Sequence, residues 1–347
     1  MFSSKNIYYV LFVIFLLLVS SYASKYWKSL FAPKDEYDMI KNYLLTESPL
    51  YGYDKPKIWI HSKFEYNSRK WESFHSRSSY DLNQPYIHLT IRSVIEHCGD
   101  HFHVCLIDDD TFSKLIPSWD LDLKQVAEPM KSHYREIGMA ELVYYYGGMV
   151  LPNSFLCLDG LENIYQQGVE GDKMFVCEGI NRNCNILDKG THSPFIPSHY
   201  IFGAQKNNEN VKQYVKYLKE RNQTPHFSNH SEFLGDSSAW FIHEIRNGNV
   251  NLVGGDVVGI KDHTHRPILL ENLMEEDYLK LSSNCVGIYI PEDELLKRTK
   301  YQWFAQMPSE QLLQTNMILT KYLKQSMVSY TEKASRVANE TKSVSAI

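Results

Sequence analysis

A chain of 347 residues with 43% hydrophobic and 22% charged side chains has enough apolar material for a sizeable core, which excludes wholesale disorder. A net charge of −5 argues against a surface built around nucleic-acid phosphate, so no nucleic-acid partner is expected. Six cysteines are too few for a disulfide scaffold.

The run Ile7–Val19 is uncharged, and Ser20–Ala23 prolongs it to about 17 residues, the lower limit for a spanning helix. Two readings stand. A signal anchor over residues 1–24 makes the protein single-pass, type II, with a lumenal or extracytoplasmic C-terminal domain. A cleavable signal peptide would end after Ala23, where Ser21 and Ala23 are small. Lys25, Lys28 and Lys34 outnumber Lys5, which by the positive-inside rule holds the C-terminal part in the cytosol. The triplets beginning at Asn222, Asn229 and Asn339 fit N-glycosylation and point the other way.

Residues 25–54 read as a stem with one helix near Glu36–Leu45. The globular part, 55–330, starts at Lys55-Pro56. Ile58–Ile60 is a short strand. Pro85 opens a helix to about His97. His103–Ile107 is a second strand, ended by Asp108, Asp109 and Asp110, with Asp110 or Thr111 capping a short helix. His97, His101 and His103 surround the turn between the helix that Pro85 opens and the second strand, and read as surface residues. From Met130 to Tyr146 a helix is predicted, because Met139, Leu142, Val143 and Tyr146 share one face. Gly147-Gly148 stops it, and Met149–Leu151 is a strand cut short by Pro152.

Phe155–Leu158, Lys173–Cys177, His199–Gly203, Val250–Val253 and Val286–Ile290 are further strands. Helices are expected over Asn210–Arg221, Ser237–Ile245 and 308–328, and a loose polar tail over 331–347. Strands alternating with helices argue for an α/β domain with a largely parallel sheet. The Cys98–Cys105 and Cys177–Cys184 spacings permit bridges without implying them.

Lys55-Pro-Lys-Ile-Trp-Ile-His61, taken with a helix feeding Gly147-Gly148-Met-Val-Leu-Pro-Asn-Ser154, resembles the sugar transferases that carry a DXD signature, the capsular-polysaccharide-synthesis and mannosyl- and galactosyl-transferase-like group. The resemblance covers residues 55–160. It implies a GT-A-like Rossmann-type mixed, mostly parallel sheet flanked by helices. It also implies a nucleotide-sugar donor, a glycan or glycoprotein acceptor, and Mn²⁺ or Mg²⁺ held by two aspartates. Here the aspartate positions hold Pro152 and Ser154, with Asn153 between, and the helix carries Glu136 and Met139 where the family has Asp and Arg.

The donor is therefore expected near Gly147, Gly148, Asn153, Ser154, Asp108, Asp109, Asp110 and Arg266. The alternative metal ligands are Asp108, Asp110, His263 and His265; helix capping is the competing role for the Asp run. Asp236 or Glu136 is the candidate base for an acceptor hydroxyl, and Asp236 competes for a capping role. Trp240 offers a ring for a sugar or a side chain for the core. Two functions compete: a membrane-anchored glycosyltransferase, and a transfer-inactive relative acting as a carbohydrate-binding or assembly module. The first calls for a crevice at Pro152–Ser154 lined by acids from elsewhere, the second for one filled by apolar side chains. No G-x-S-x-G elbow or P-loop is present.

Overall fold

The computed structural model describes residues 55–62, 84–181, 194–223 and 230–327. The apolar run 7–23, the stem, the tail, Asn229 and Asn339 lie outside them. Among the described residues no helix is long and apolar enough to cross a membrane.

Six strands form the main sheet: β1 (Lys57–His61), β2 (His103–Ile107), β3 (Gly148–Leu151), β5 (Met174–Ile180), β6 (Phe195–Ala204) and β7 (Val250–Val253). Their order is β2-β1-β3-β6-β5-β7. The pairs β1–β2, β1–β3 and β5–β7 are parallel, and β6 runs antiparallel to both neighbours. The sheet is therefore mixed and mostly parallel, as the sequence pattern predicts. Phe155–Cys157 (β4) instead pairs antiparallel with Gly287–Tyr289 (β8) in a separate two-stranded sheet.

The alternation of side chains sorts the core. Trp59, Cys105, Ile107, Val150, Val176 and Phe202 point to one face. There they meet α2 (Asp109–Leu115), α3 (Met130–Tyr146), α5 (Glu209–Gln223) and α6 (His230–Arg246) through Phe112, Leu142, Tyr214 and Phe241. Each such side chain contributes about 1.5–3 kcal/mol on burial. The opposite face carries Phe175, which packs edge-on to Tyr165 of α4 (Glu162–Gly168); Tyr165 in turn meets Phe102. The helix α1 (Tyr86–Cys98) hydrogen-bonds β4, Ser93 Oγ accepting from Cys157 N at 2.8 Å.

Two expectations change here. The helix predicted over 308–328 is broken: Ser309–Leu313 ends at a turn where Thr315 Oγ1 donates to Leu312 O, and helix resumes over 318–327. His97 is buried, not a surface residue, because Ser326 of that second piece covers it, Nε2 to Oγ 3.1 Å.

Gly147 and Gly148 are required by geometry. Gly147 ends α3 at φ 70° and donates to Val143 O at 2.8 Å. Its own carbonyl accepts from Trp59 Nε1 at 2.9 Å. Gly148 has φ 98° and lies against the β1 backbone. Only a residue without Cβ allows this approach.

Candidate functional site

The sheet brings the carboxyl ends of β1, β2, β3, β5 and β7 to one edge, and antiparallel β6 starts there. Because β1 lies between β2 and β3, the chain reverses direction of travel across the sheet at β1 and β3. In open α/β sheets ligands bind outside the strand ends at such a switch point.

Pro152, Asn153 and Ser154 follow β3 at this point. Their backbone is held tightly. Asn153 O accepts from Thr90 Oγ1 at 2.6 Å, and Ser154 O accepts from Ile290 N at 3.3 Å. Ser154 is 0% exposed and Asn153 8%. Ser154 Oγ and Asn153 Oδ1 have no hydrogen-bond partner among the described residues. The turn is a buried polar spot, not an open crevice lined by acids.

The three aspartates after β2 divide into separate roles. Asp108 caps α2, accepting from Thr111 N at 3.0 Å and Thr111 Oγ1 at 2.6 Å. The cap is Asp108, not the Asp110 or Thr111 expected from sequence. Asp109 accepts two bonds from buried Arg135, 2.8 Å from Nε and 2.7 Å from Nη2, and sits 3.0 Å from His61 Nε2. Burial alone would raise its carboxyl, but the bonds of Arg135 and then His61 outweigh this and hold it well below the usual carboxylate range. Asp110 pairs with Lys124 at the surface, 2.7 Å apart.

His263, His265 and Arg266 lie in an exposed turn that Asp262 organises, Oδ1 accepting from the backbone of Thr264 and Arg266. Among the described residues no three His, Cys, Asp or Glu come together as a cation site. A hard divalent ion needs several anionic oxygens. Neutral Asn153 and Ser154, with Asp108 and Asp109 already committed, do not supply them, so these residues do not fit the Mn²⁺ or Mg²⁺ that the resemblance implies.

Among the described residues a cavity opens further along the edge. It measures about 70 Å³ and is lined by Glu178, Ser198, His199, Tyr200, Ser238 and Tyr289, among others. A water needs about 10–15 Å³ on this kind of measure, so the space takes a few waters or the reacting end of a polyol, not a whole nucleotide-sugar. It arises from an irregularity in β6. Val176 pairs with Phe202, but the next residue, Cys177, pairs with Ser198. His199, Tyr200 and Ile201 are extra on β6, and such bulges re-aim side chains.

Buried His199 reaches Glu136 of α3, Nε2 to Oε1 3.6 Å. Tyr200 stacks on Tyr289 with centroids 5.3 Å apart. Glu178 accepts from Gly255 N at 2.8 Å and Lys261 Nζ at 2.5 Å. A glutamate–histidine contact, a lysine–glutamate ion pair, hydroxyls and a tyrosine stack therefore surround one small space.

Glu136 thus reaches the cavity wall. Asp236 is positioned differently. The helix begins at His230 rather than Ser237, so Asp236 lies within it. Leu234 and Ser238 face the cavity, and Asp236, two residues from each, turns to Arg221 at 3.3 Å. Asp236→Asn is expected to cost at most about 1 kcal/mol in a chemical denaturation series, because the pair is solvent-screened. Trp240, half-buried, packs against the edge of the core, with Tyr214 at 5.0 Å and Phe241 at 5.3 Å. Sequence reading missed His199, Tyr200 and Glu178. Nothing local marks them, since a bulge is set by what packs against the strand.

No protein-family model matches the chain, and neither does any curated protein. Among solved structures it is similar to three glycosyltransferases. The apo-form glycosyltransferase GlyE of Streptococcus pneumoniae TIGR4 is 10% identical over 58% of this chain, with TM-score 0.33, and this chain spans 46% of GlyE. PaToxG glycosyltransferase is 12% identical over 61% of this chain and 80% of its own, TM-score 0.33. Galactosyltransferase LgtC, solved with donor and acceptor sugar analogs, is 9% identical over 58% of this chain and 74% of its own, TM-score 0.31. These are partial overlays of an α/β sheet.

Proposed function

We propose that the protein is a membrane-anchored glycosyltransferase that moves a sugar from a nucleotide-sugar to a hydroxyl of a glycan or glycoprotein without a divalent cation. The observation that carries this reading is the shared edge: the switch point at β1 and β3 lies on the same side of one sheet as the bulge cavity. A donor and an acceptor must meet side by side, and this edge supplies two adjacent polar sites. The resemblance over residues 55–160 supports the donor class.

In this reading the donor diphosphate lies outside β1 and β3, near His61, Asn153 and Ser154. The acceptor hydroxyl enters the cavity, with Tyr200 and Tyr289 offering ring faces and Ser198 and Ser238 hydrogen bonds. The Glu136–His199 pair takes the hydroxyl proton as the oxygen attacks the anomeric carbon and the nucleoside diphosphate leaves. The apolar run 7–23 supplies the anchor, and the three glycosylation triplets support a lumenal or extracytoplasmic domain.

Calorimetry of the full chain with UDP-sugars and GDP-sugars, with and without Mn²⁺, tests this. Binding that Mn²⁺ does not change, and that Ser154→Leu abolishes, is the expected result. Strict Mn²⁺ dependence would overturn the cation-free reading. The buried state of Asn153 and Ser154 favours the second reading, a transfer-inactive carbohydrate-binding module, and no binding of any nucleotide-sugar by folded protein would establish it over the first. Once a donor is found, Glu136→Gln is expected to lower kcat by about 10²–10⁴ with KM little changed, measured by product formation.

A further inference from the structure

Cys98 ends α1 and Cys157 ends β4, and both are 0% exposed. Their sulfurs are 3.7 Å apart although 59 residues separate them in the chain. The Cys98–Cys105 spacing does not match this arrangement, and the Cys177–Cys184 spacing is not tested by it. Cys105 Sγ donates to His103 O, Cys157 Sγ itself also donates to Asp159 O at 3.0 Å, a bond the bridge would replace, and Cys184 lies outside the described residues.

We propose that Cys98 and Cys157 form an intramolecular disulfide that ties α1 to β4. A disulfide needs the sulfurs at about 2.05 Å, so the gap to close is under about 2 Å. The backbones around them are already fixed to each other. Cys157 N donates to Ser93 Oγ at 2.8 Å, one turn before Cys98 on α1. Cys157 O accepts from Ser326 Oγ at 2.7 Å, and Phe102 N donates to Cys98 O at 2.8 Å.

The oxidant is a disulfide, either glutathione disulfide or an oxidoreductase. One thiolate attacks it and expels a thiol; the second thiolate then displaces the other half. Two electrons and two protons leave the protein, and the oxidant becomes two thiols. The bond forms while the chain folds. In the folded but still reduced chain burial, and then the neighbouring Cys98 thiol, push the Cys157 thiol well above its usual range, so with little thiolate left to attack the oxidant, oxidation has to come before burial is complete.

The test is refolding of the full chain from denaturant in a glutathione redox buffer, followed by alkylation and peptide mapping. Two of the six cysteines are expected to escape alkylation and to appear as a Cys98–Cys157 linked peptide that reduction separates. The double variant Cys98→Ser, Cys157→Ser is expected to leave every remaining thiol reactive under the same conditions. The oxidised wild type is expected to unfold at higher denaturant than the reduced one, with no such difference in the double variant. Peptide mapping reads the pairing whether or not refolding is complete. A bridge between any other cysteines, or full alkylation of all six, overturns the proposal.

Discussion

Gly148→Ala is expected to yield no soluble folded protein. A Cβ on Gly148 would stand 2.1 Å from Lys57 O and 2.8 Å from Lys57 C. Those are backbone atoms of β1, whose neighbours on both sides are hydrogen-bonded strands, so they have nowhere to go. The φ of 98° adds strain of its own. The combined cost belongs to the exceptional end of single substitutions, above about 4 kcal/mol, comparable to the whole stability of many domains. Gly248 is the control. It also has positive φ, 77°, but nothing lies within 4 Å of its Cβ position. Gly248→Ala is expected to cost only the conformational term, about 1–2 kcal/mol. Soluble yield and urea midpoints for the two variants decide the matter. A Gly148→Ala protein as stable as Gly248→Ala would mean that β1 and β3 do not approach as closely as described.

Removing the Asp109 carboxylate is expected to be the second most damaging change. Arg135 is 9% exposed, and Asp109 accepts two charged hydrogen bonds from it. Breaking one side of a buried pair costs about 3–5 kcal/mol because the other charge is stranded. Glu128, 3.6 Å from Arg135, offers partial compensation, so Asp109→Ala belongs at the lower end of that range. The pair also sets an acid limit. A carboxylate whose pKa is depressed in the folded state contributes stability that is complete above its unfolded value, about 3.9, and is lost as pH falls through the folded value. Wild-type stability is therefore expected to fall steeply below about pH 4, and the Asp109→Asn variant to show a shallower fall. Urea titrations from pH 7 to pH 3 measure the slope; parallel curves for the two proteins would remove Asp109 from the account.

Much of the fold was legible in local pattern. Helix α3 and strand β2 begin and end where hydrophobic period and the Asp run indicate, because each is bounded by residues that physically stop it: Gly147 at one, the capping Asp108 at the other. Helix α6 was half missed. Its first turns, His230–Gly235, contain a glycine and polar residues, and they are helical because Phe233 stacks on His133 of α3 at 4.1 Å. The cavity was not legible at all. Whether His199 continues a strand or bulges out depends on Glu136, 63 positions away by number, and on α6 beside it. The same holds for the Cys98–Cys157 contact, which no spacing rule encodes. The roles of the Asp run were hidden for a different reason. Acidic residues next to a strand end looked available, and three dimensions commit them to a cap, an arginine and a lysine.

Ser326 bonds a carbonyl 169 residues earlier in the chain, and that has a consequence for synthesis. At about 5–20 residues per second, the ribosome needs on the order of ten to thirty seconds between making Cys157 and making its cover. For much of that interval β4 and the end of α1 have emerged while the side that Ser326 covers is still open. The nascent chain therefore waits for residues 318–327, and a chain stalled or truncated before them would leave this flank exposed to chaperones and proteases.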